Sequence, residues 1–221
     1  MKNKNIKDGH LPVAPLKLIA MPGFEAFTEK VNEHILAMRA EELEKMGDEF
    51  DRSMIRGYNE ESFLCACRCP RFGTGEAKGE ILDSVRGKDV FILTDVTNYS
   101  LSYTVCGQVN HMSPDDHYQN LKRIIATAIP AAYRVNVVMP FLYESRQHKR
   151  AKRESLDCAL ALEELSGMGV TNIITFDAHD PRVQNSIPLH GLDNFMPTYQ
   201  FIQAIFKRDH DLEINKESLM V

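Results

Sequence analysis

Continuous apolar runs, set between stretches of helical period, constrain this chain more than any other feature. LKLIAM (16–21), VFILTDV (90–96), VNVVMPF (135–141) and NIITF (172–176) lack the inward–outward alternation of a half-exposed strand. Strands of that kind are buried on both faces, as in a parallel sheet covered by helices. Between them the period changes. Phe27, Val31, Ile35, Met38 and Leu43 predict an amphipathic helix from Phe24 to about Met46, after a Pro22-Gly23 turn. Ser113-Pro114-Asp115-Asp116 predicts a capped helix start, with Tyr118, Leu121, Ile124, Ile125 and Ala128 on one face. A helix over 154–167 carries Leu156, Ala159, Leu160 and Leu165 and ends near Gly167 and Gly169, and another covers 197–207. FLCACRC (63–69) reads as one more strand closed by Pro70, and the terminal SLMV as a strand beginning. The expectation is an α/β fold: a mostly parallel sheet with helices on both faces. Ligands of such sheets sit outside the carboxyl ends of the strands, so the residues just after each strand matter most.

The balance of 43% hydrophobic and 26% charged residues is that of a soluble globular chain. The formal net charge of -5 is the wrong sign for a general nucleic-acid or anionic-membrane binder. No apolar run approaches the ~20 residues of a membrane span. The odd count of five cysteines and the interrupted amino terminus, with Pro12, Pro15 and Lys17, point to the cytoplasm. Walker-type, GxGxxG and GxSxG motifs are absent.

Two strand ends carry candidate chemistry. After VNVVMPF, the segment YESRQHKRAKR packs Arg146, Lys149, Arg150, Lys152 and Arg153 ahead of a helix. Cations there are unfavourable unless an anion is present, and arginine suits phosphate. A polyphosphate clamp and a solvated basic turn both fit. After NIITF, Asp177, His179 and Asp180 can bind a divalent metal or act as acid and base; a plain polar loop also fits. Histidine on its own chemistry favours zinc or another transition metal. Cys65, Cys67 and Cys69 alternate along one strand face, a spacing better suited to small buried hydrophobes than to zinc.

Taken together, these segments resemble the ribose-phosphate pyrophosphokinase family. LKLIAMPGFEAFTEKV is similar to its first strand, turn and helix. RFGTGEAKGEILDSVRGKDVFIL (71–93) resembles its RFSDGE…ESVRGxDVFI stretch, PFLYESRQHKR (140–150) its PYxxYARQDRK, and TFDAHDPRVQN (175–185) its DLHxxQIQG metal motif. Leu192-Asp193-Asn194 is similar to its VDNL.

The resemblance implies a phosphoribosyltransferase-like domain and an enzyme that moves the diphosphoryl group of MgATP to ribose 5-phosphate, releasing AMP. It implies that Arg146 and Gln147 contact ATP and that His179 binds Mg²⁺, overriding the preference for a transition metal. Phe72 and Glu76 match positions that reach the adenine of a neighbouring subunit's ATP, so a homo-oligomer with shared sites is expected. Thr74 replaces the aspartate of FSDGE, and His148 the aspartate after Arg-Gln. The expected organisation is a flexible arm (1–14), an ATP-binding domain (15–217) with an insertion at 47–62, and the start of a second domain (218–221). That second domain would hold ribose 5-phosphate, so the piece alone is expected to be inactive. A non-catalytic, synthetase-associated regulatory subunit is the alternative. A nucleic-acid-binding module built on 146–153 ranks last.

Overall fold

The computed structural model describes residues 12–46, 57 and 60–208. Most of the expected arm, most of the 47–62 insertion, the boundary at 217 and the SLMV strand lie outside the described residues.

The elements run β1 (Leu16–Ala20), α1 (Glu25–Met46), β2 (Leu64–Cys65), β3 (Cys67–Arg68), β4 (Glu80–Ile81), β5 (Asp89–Leu93), β6 (Ser102–Val105), β7 (Gln108–His111), α2 (Pro114–Ala128), β8 (Arg134–Val138), α3 (Asp157–Gly167), β9 (Val170–Phe176), β10 (Gly191–Phe195) and α4 (Thr198–Arg208). A 3-10 turn, Pro181–Ser186, precedes β10. Six strands form one sheet in the order β10-β9-β8-β5-β1-β2, and every pairing is parallel. Two small antiparallel pairs, β3–β4 and β6–β7, stand outside it. The α/β class and the parallel sheet are as the apolar runs predict. Among the described residues no helix is long and apolar enough to cross a membrane.

Neighbouring residues of a strand point to opposite faces. On one side Leu18, Phe63 and Leu93 pack with Val31, Ile35 and Leu36 of α1. On the other, Ile19, Val90, Ile92, Val135 and Val137 pack under α2 and α3, with Leu121, Ile124, Ile125 and Leu162 at the centre. Each such side chain contributes about 1.5–3 kcal/mol on full burial. Ser113 and Asp116 form a reciprocal capping box at the start of α2, as the sequence predicts.

Three expectations are corrected. The inner face of α1 carries Thr28 and Asn32, while Phe27 and Met38 are exposed. Asn32 Oδ1 accepts a hydrogen bond from the Phe63 amide at 2.8 Å, which fixes α1 against the entry to β2. In α3 the helix starts at Asp157 rather than 154, and Leu160 faces solvent while Cys158, Ala161 and Leu162 are buried. Finally, FLCACRC is two strands: β2 pairs with β1, and β3 with β4. Ala66 turns the chain between them, its amide donating to Asp83 Oδ2 (3.3 Å) and its carbonyl accepting from Leu82 (2.9 Å). The thiols still face inward. Cys67 donates to Ala20 O at 3.2 Å, and burial pushes it up to about 12 and Cys69 up to about 11. The end of the expected insertion is pinned: Glu60 pairs with Lys17 (3.1 Å) and Lys88 (2.9 Å).

The crossover from β1 through α1 leads to β2 on one side, and β5 returns on the other side of β1. The strand order therefore reverses beside β1, and the loops after β5, β8 and β9 share the carboxyl end of the sheet.

Candidate functional site

The loop after β8 is held by its own backbone. The Ser145 amide donates to Leu142 O (3.2 Å) and the Gln147 amide to Glu144 O (2.9 Å). Glu144 takes a left-handed conformation (φ 57), an uncommon state for a residue with a side chain. Leu142 and Ser145 are buried, which leaves Arg146 pointing to solvent. Gln147 Nε2 donates to Ser155 O (2.8 Å), closing the basic segment into a loop. Glu154 Oε1 accepts from the amides of Ala151 (2.6 Å) and Lys152 (3.3 Å). Because α3 starts only at Asp157, the basic residues sit in this loop and not against the helix terminus.

The loop after β9 is strapped by β10. The Asp177 amide donates to Phe195 O (3.0 Å), and the Ala178 amide to Asn194 Oδ1 (3.0 Å). Asp177 is also left-handed (φ 48). Asp177 and His179 are exposed, whereas Asp180 is buried. Asp180 Oδ1 accepts from both the amide and Nε of Arg182 at 2.9 Å. The Arg182 guanidinium, helped by its amide and by His148, holds the Asp180 carboxyl well below the usual carboxylate range. That carboxylate is committed, so the reading of Asp180 as a metal ligand or acid–base group is corrected.

His148 joins the two loops. Its Nε2 lies 3.2 Å from Asp180 Oδ2, its Nδ1 3.2 Å from Ser145 O, and its ring centroid 5.4 Å from that of His179. Arg146, Gln147 and His179 are thereby brought to one region. Among the described residues no group of three or more His, Cys, Asp or Glu side chains is arranged to hold a metal ion. His179 and Asp177 remain as exposed donors at the strand end.

Phe72 and Glu76 belong to another element, a tight turn before β4. The Phe72 amide donates to Glu76 O (2.7 Å), and Thr74 Oγ1 to Glu76 Oε2 (3.0 Å). Arg71 anchors the turn through Gly75 O (2.8 Å), Asp116 (3.0 Å) and the Tyr103 ring (4.0 Å). Phe72 is displayed at 52% exposure. The turn thus presents an aromatic ring and a carboxylate outward from a fixed base.

A cavity of about 390 Å³ opens beside Arg146, between the loop after β5, the start of α2 and the loop after β8. Tyr99, Phe141 and Tyr143 line it. None of them emerged from the sequence as a site residue, because isolated aromatics in loops carry no motif. His148 emerged only as a departure from the family pattern, and its partner lies on another strand end.

Comparison with known proteins bears on this geometry. A family model described as the N-terminal domain of ribose phosphate pyrophosphokinase matches residues 16–169. The ribose-phosphate pyrophosphokinase of Corynebacterium ammoniagenes is 32% identical over 133 residues, 58% of this chain and 38% of that protein. The phosphoribosyl pyrophosphate synthase-associated protein 1 of Homo sapiens is 28% identical over 188 residues, 83% of this chain and 45% of that protein. The crystal structure of phosphoribosylpyrophosphate synthetase from Mycobacterium smegmatis superposes with a TM-score of 0.63 at 18% identity, covering 89% of this chain and 53% of that one. The chain spans about half the length, or less, of these relatives.

Proposed function

Because the chain belongs to the ribose-phosphate pyrophosphokinase family through that family's N-terminal domain, we propose that it is the ATP-handling half of a ribose-phosphate diphosphokinase. The whole protein would transfer the β,γ-diphosphoryl group of ATP to the anomeric hydroxyl of ribose 5-phosphate, with AMP leaving. The observation that carries this reading is the joining of the Arg146 loop and the His179 loop through His148 and Asp180.

Phosphoryl transfer needs positioning and neutralisation of charge more than covalent help from the protein. Arg146 is exposed beside the cavity and carries a fork that matches phosphate oxygens. Gln147 holds that loop closed through Ser155 and presents the rest of its amide to the nucleotide. Lys149, Arg150, Lys152 and Arg153, all exposed, raise the local positive potential. His179 fits Mg²⁺ as a single protein ligand, since this ion usually keeps waters and substrate phosphates in its shell. The ion, when bound, neutralises phosphate charge. Phe72 and Glu76 would reach the nucleotide of a neighbouring copy in a homo-oligomer, consistent with their outward display. We place this activity in the cytoplasm.

The direct test is MgATP affinity of the chain and of Arg146→Ala. Loss of charge-assisted bonds worth ~1.5–3 kcal/mol weakens binding on the order of tenfold to hundredfold. Unchanged affinity would remove Arg146 from the site.

One observation favours a second reading. The associated protein aligns with more of this chain than the bacterial pyrophosphokinase does, 83% against 58%. A regulatory subunit would bind nucleotide without turning it over. AMP formation from ATP and ribose 5-phosphate by the complete gene product excludes that role.

A further inference from the structure

The cavity beside Arg146 has a composition that the phosphate grip does not use. Its walls are aromatic. Tyr99 is 60% exposed and Phe141 46% exposed, a high value for rings at the end of a buried strand. At about 390 Å³ it falls within the ~300–1,000 Å³ range of small-molecule sites.

These walls are fixed by contacts outside the cavity. The Tyr143 ring stacks on Tyr118 with centroids 4.3 Å apart, and its hydroxyl donates to Asp115 Oδ1 at 2.6 Å. Thr97 donates through both its amide (2.8 Å) and its hydroxyl (2.7 Å) to Asp95 Oδ1, which sets the loop after β5. Asn98 O lies 2.8 Å from the buried His117 ring, tying the same loop to α2. Glu144 lines the cavity in its left-handed conformation. Uncommon backbone states of this kind cluster at ligand sites. A pocket whose walls are held from behind loses little entropy on binding.

We infer that this cavity is an intrachain nucleobase subsite, in which Tyr99 and Phe141 stack on the base of a nucleoside polyphosphate whose phosphates meet Arg146. The inference rests on the assignment of Arg146 as a phosphate grip. Aromatic rings offer a π-face to any base, and Thr97 and Glu144 supply polar edges. Burial, with Asp157 and Asp115 nearby, raises the Glu144 carboxyl above its ordinary value, which favours the protonated form that can donate to a ring nitrogen. The subsite belongs to the same chain as Arg146 and so differs from a base contact supplied by another copy's Phe72.

The test compares calorimetric binding of MgATP and of inorganic tripolyphosphate by the 221-residue chain and by Phe141→Ala, Tyr99→Ala and Phe141→Tyr. Both alanine variants are expected to weaken MgATP binding about fivefold to hundredfold, the effect of losing one stacking ring. Tripolyphosphate affinity is expected to stay within twofold, and Phe141→Tyr to restore MgATP binding. Photolabelling with 8-azidoadenosine triphosphate is expected to mark peptides carrying Tyr99 or Phe141. A chain that binds both ligands, with both alanine variants indistinguishable from wild type, overturns the subsite alone. Label confined to the Phe72–Glu76 segment does the same. A chain that binds neither ligand overturns the proposed function and this inference with it.

Discussion

His148 Nε2 stands 3.2 Å from Asp180 Oδ2, so a side chain from the loop after β8 is fastened to one from the loop after β9. The phosphate loop and the candidate metal loop are therefore one mechanical unit. Asp180 also receives Arg182, which keeps the carboxylate ionised.

That arrangement sets a pH dependence. The folded Asp180 carboxyl lies below its ordinary value of 3.8. A group lowered on folding stabilises the fold above its unfolded pKa and loses that contribution as pH falls toward the lowered value. Wild type should therefore melt above Asp180→Asn by a constant margin from about pH 7 to about pH 5. The margin should close steadily below about pH 4. Thermal melts of both proteins across that range measure it, and a margin that widens in acid would contradict the pairing.

Asn32 gives a second prediction. It is 6% exposed and is the acceptor for the buried Phe63 amide at 2.8 Å. Asn32→Ala leaves that donor unsatisfied and should cost about 1–3 kcal/mol in urea unfolding. Asn32→Asp keeps an acceptor oxygen and should cost less. Equal losses in the two variants would point to packing instead.

The thiols should react unequally. Attack on iodoacetamide requires the thiolate. Cys67 and Cys69 are pushed up to about 12 and about 11, mainly by burial, and Cys65 and Cys158 are buried. Cys106 is exposed at the β6–β7 turn. Native mass spectrometry at about pH 8 should show one rapid adduct, absent from Cys106→Ser. Rapid labelling of the remaining cysteines would mean that β3 opens readily.

Arg71 should control the order of the Phe72 turn. It holds Gly75 O, Asp116 and the Tyr103 ring at once. Arg71→Ala should speed hydrogen exchange at the Phe72 and Gly75 amides while leaving α2 protected. Arg71→Lys should rescue only in part, because lysine lacks the planar fork.

The strands were legible because burial on both faces leaves an unbroken apolar run, as in β5 and β8. The start of α2 was legible because Ser113, Pro114 and Asp116 act locally on neighbouring amides. The division of FLCACRC was not, since its side-chain pattern is the same whether one partner strand or two receive it. The inner face of α1 misled because Thr28 and Asn32 satisfy their polar atoms internally and can be buried, while Phe27 stacks on Phe24 near solvent. Arg146 and His179 were found as exposed polar residues after strands. The contact that unites their loops joins residues of separate strand ends, and no local spacing encodes it.

The uniform direction of the six strands has a kinetic consequence. No neighbouring pair in that sheet can be closed by a tight hairpin, because every pairing is parallel and needs a crossover. The local pairs, β3–β4 and β6–β7, can zip on their own within microseconds. The central sheet must first close long loops, which places its assembly among the slower folding events. The loops bearing Arg146 and His179 meet only when β8 and β9 have aligned, so recovery of nucleotide binding on refolding should report completion of the sheet.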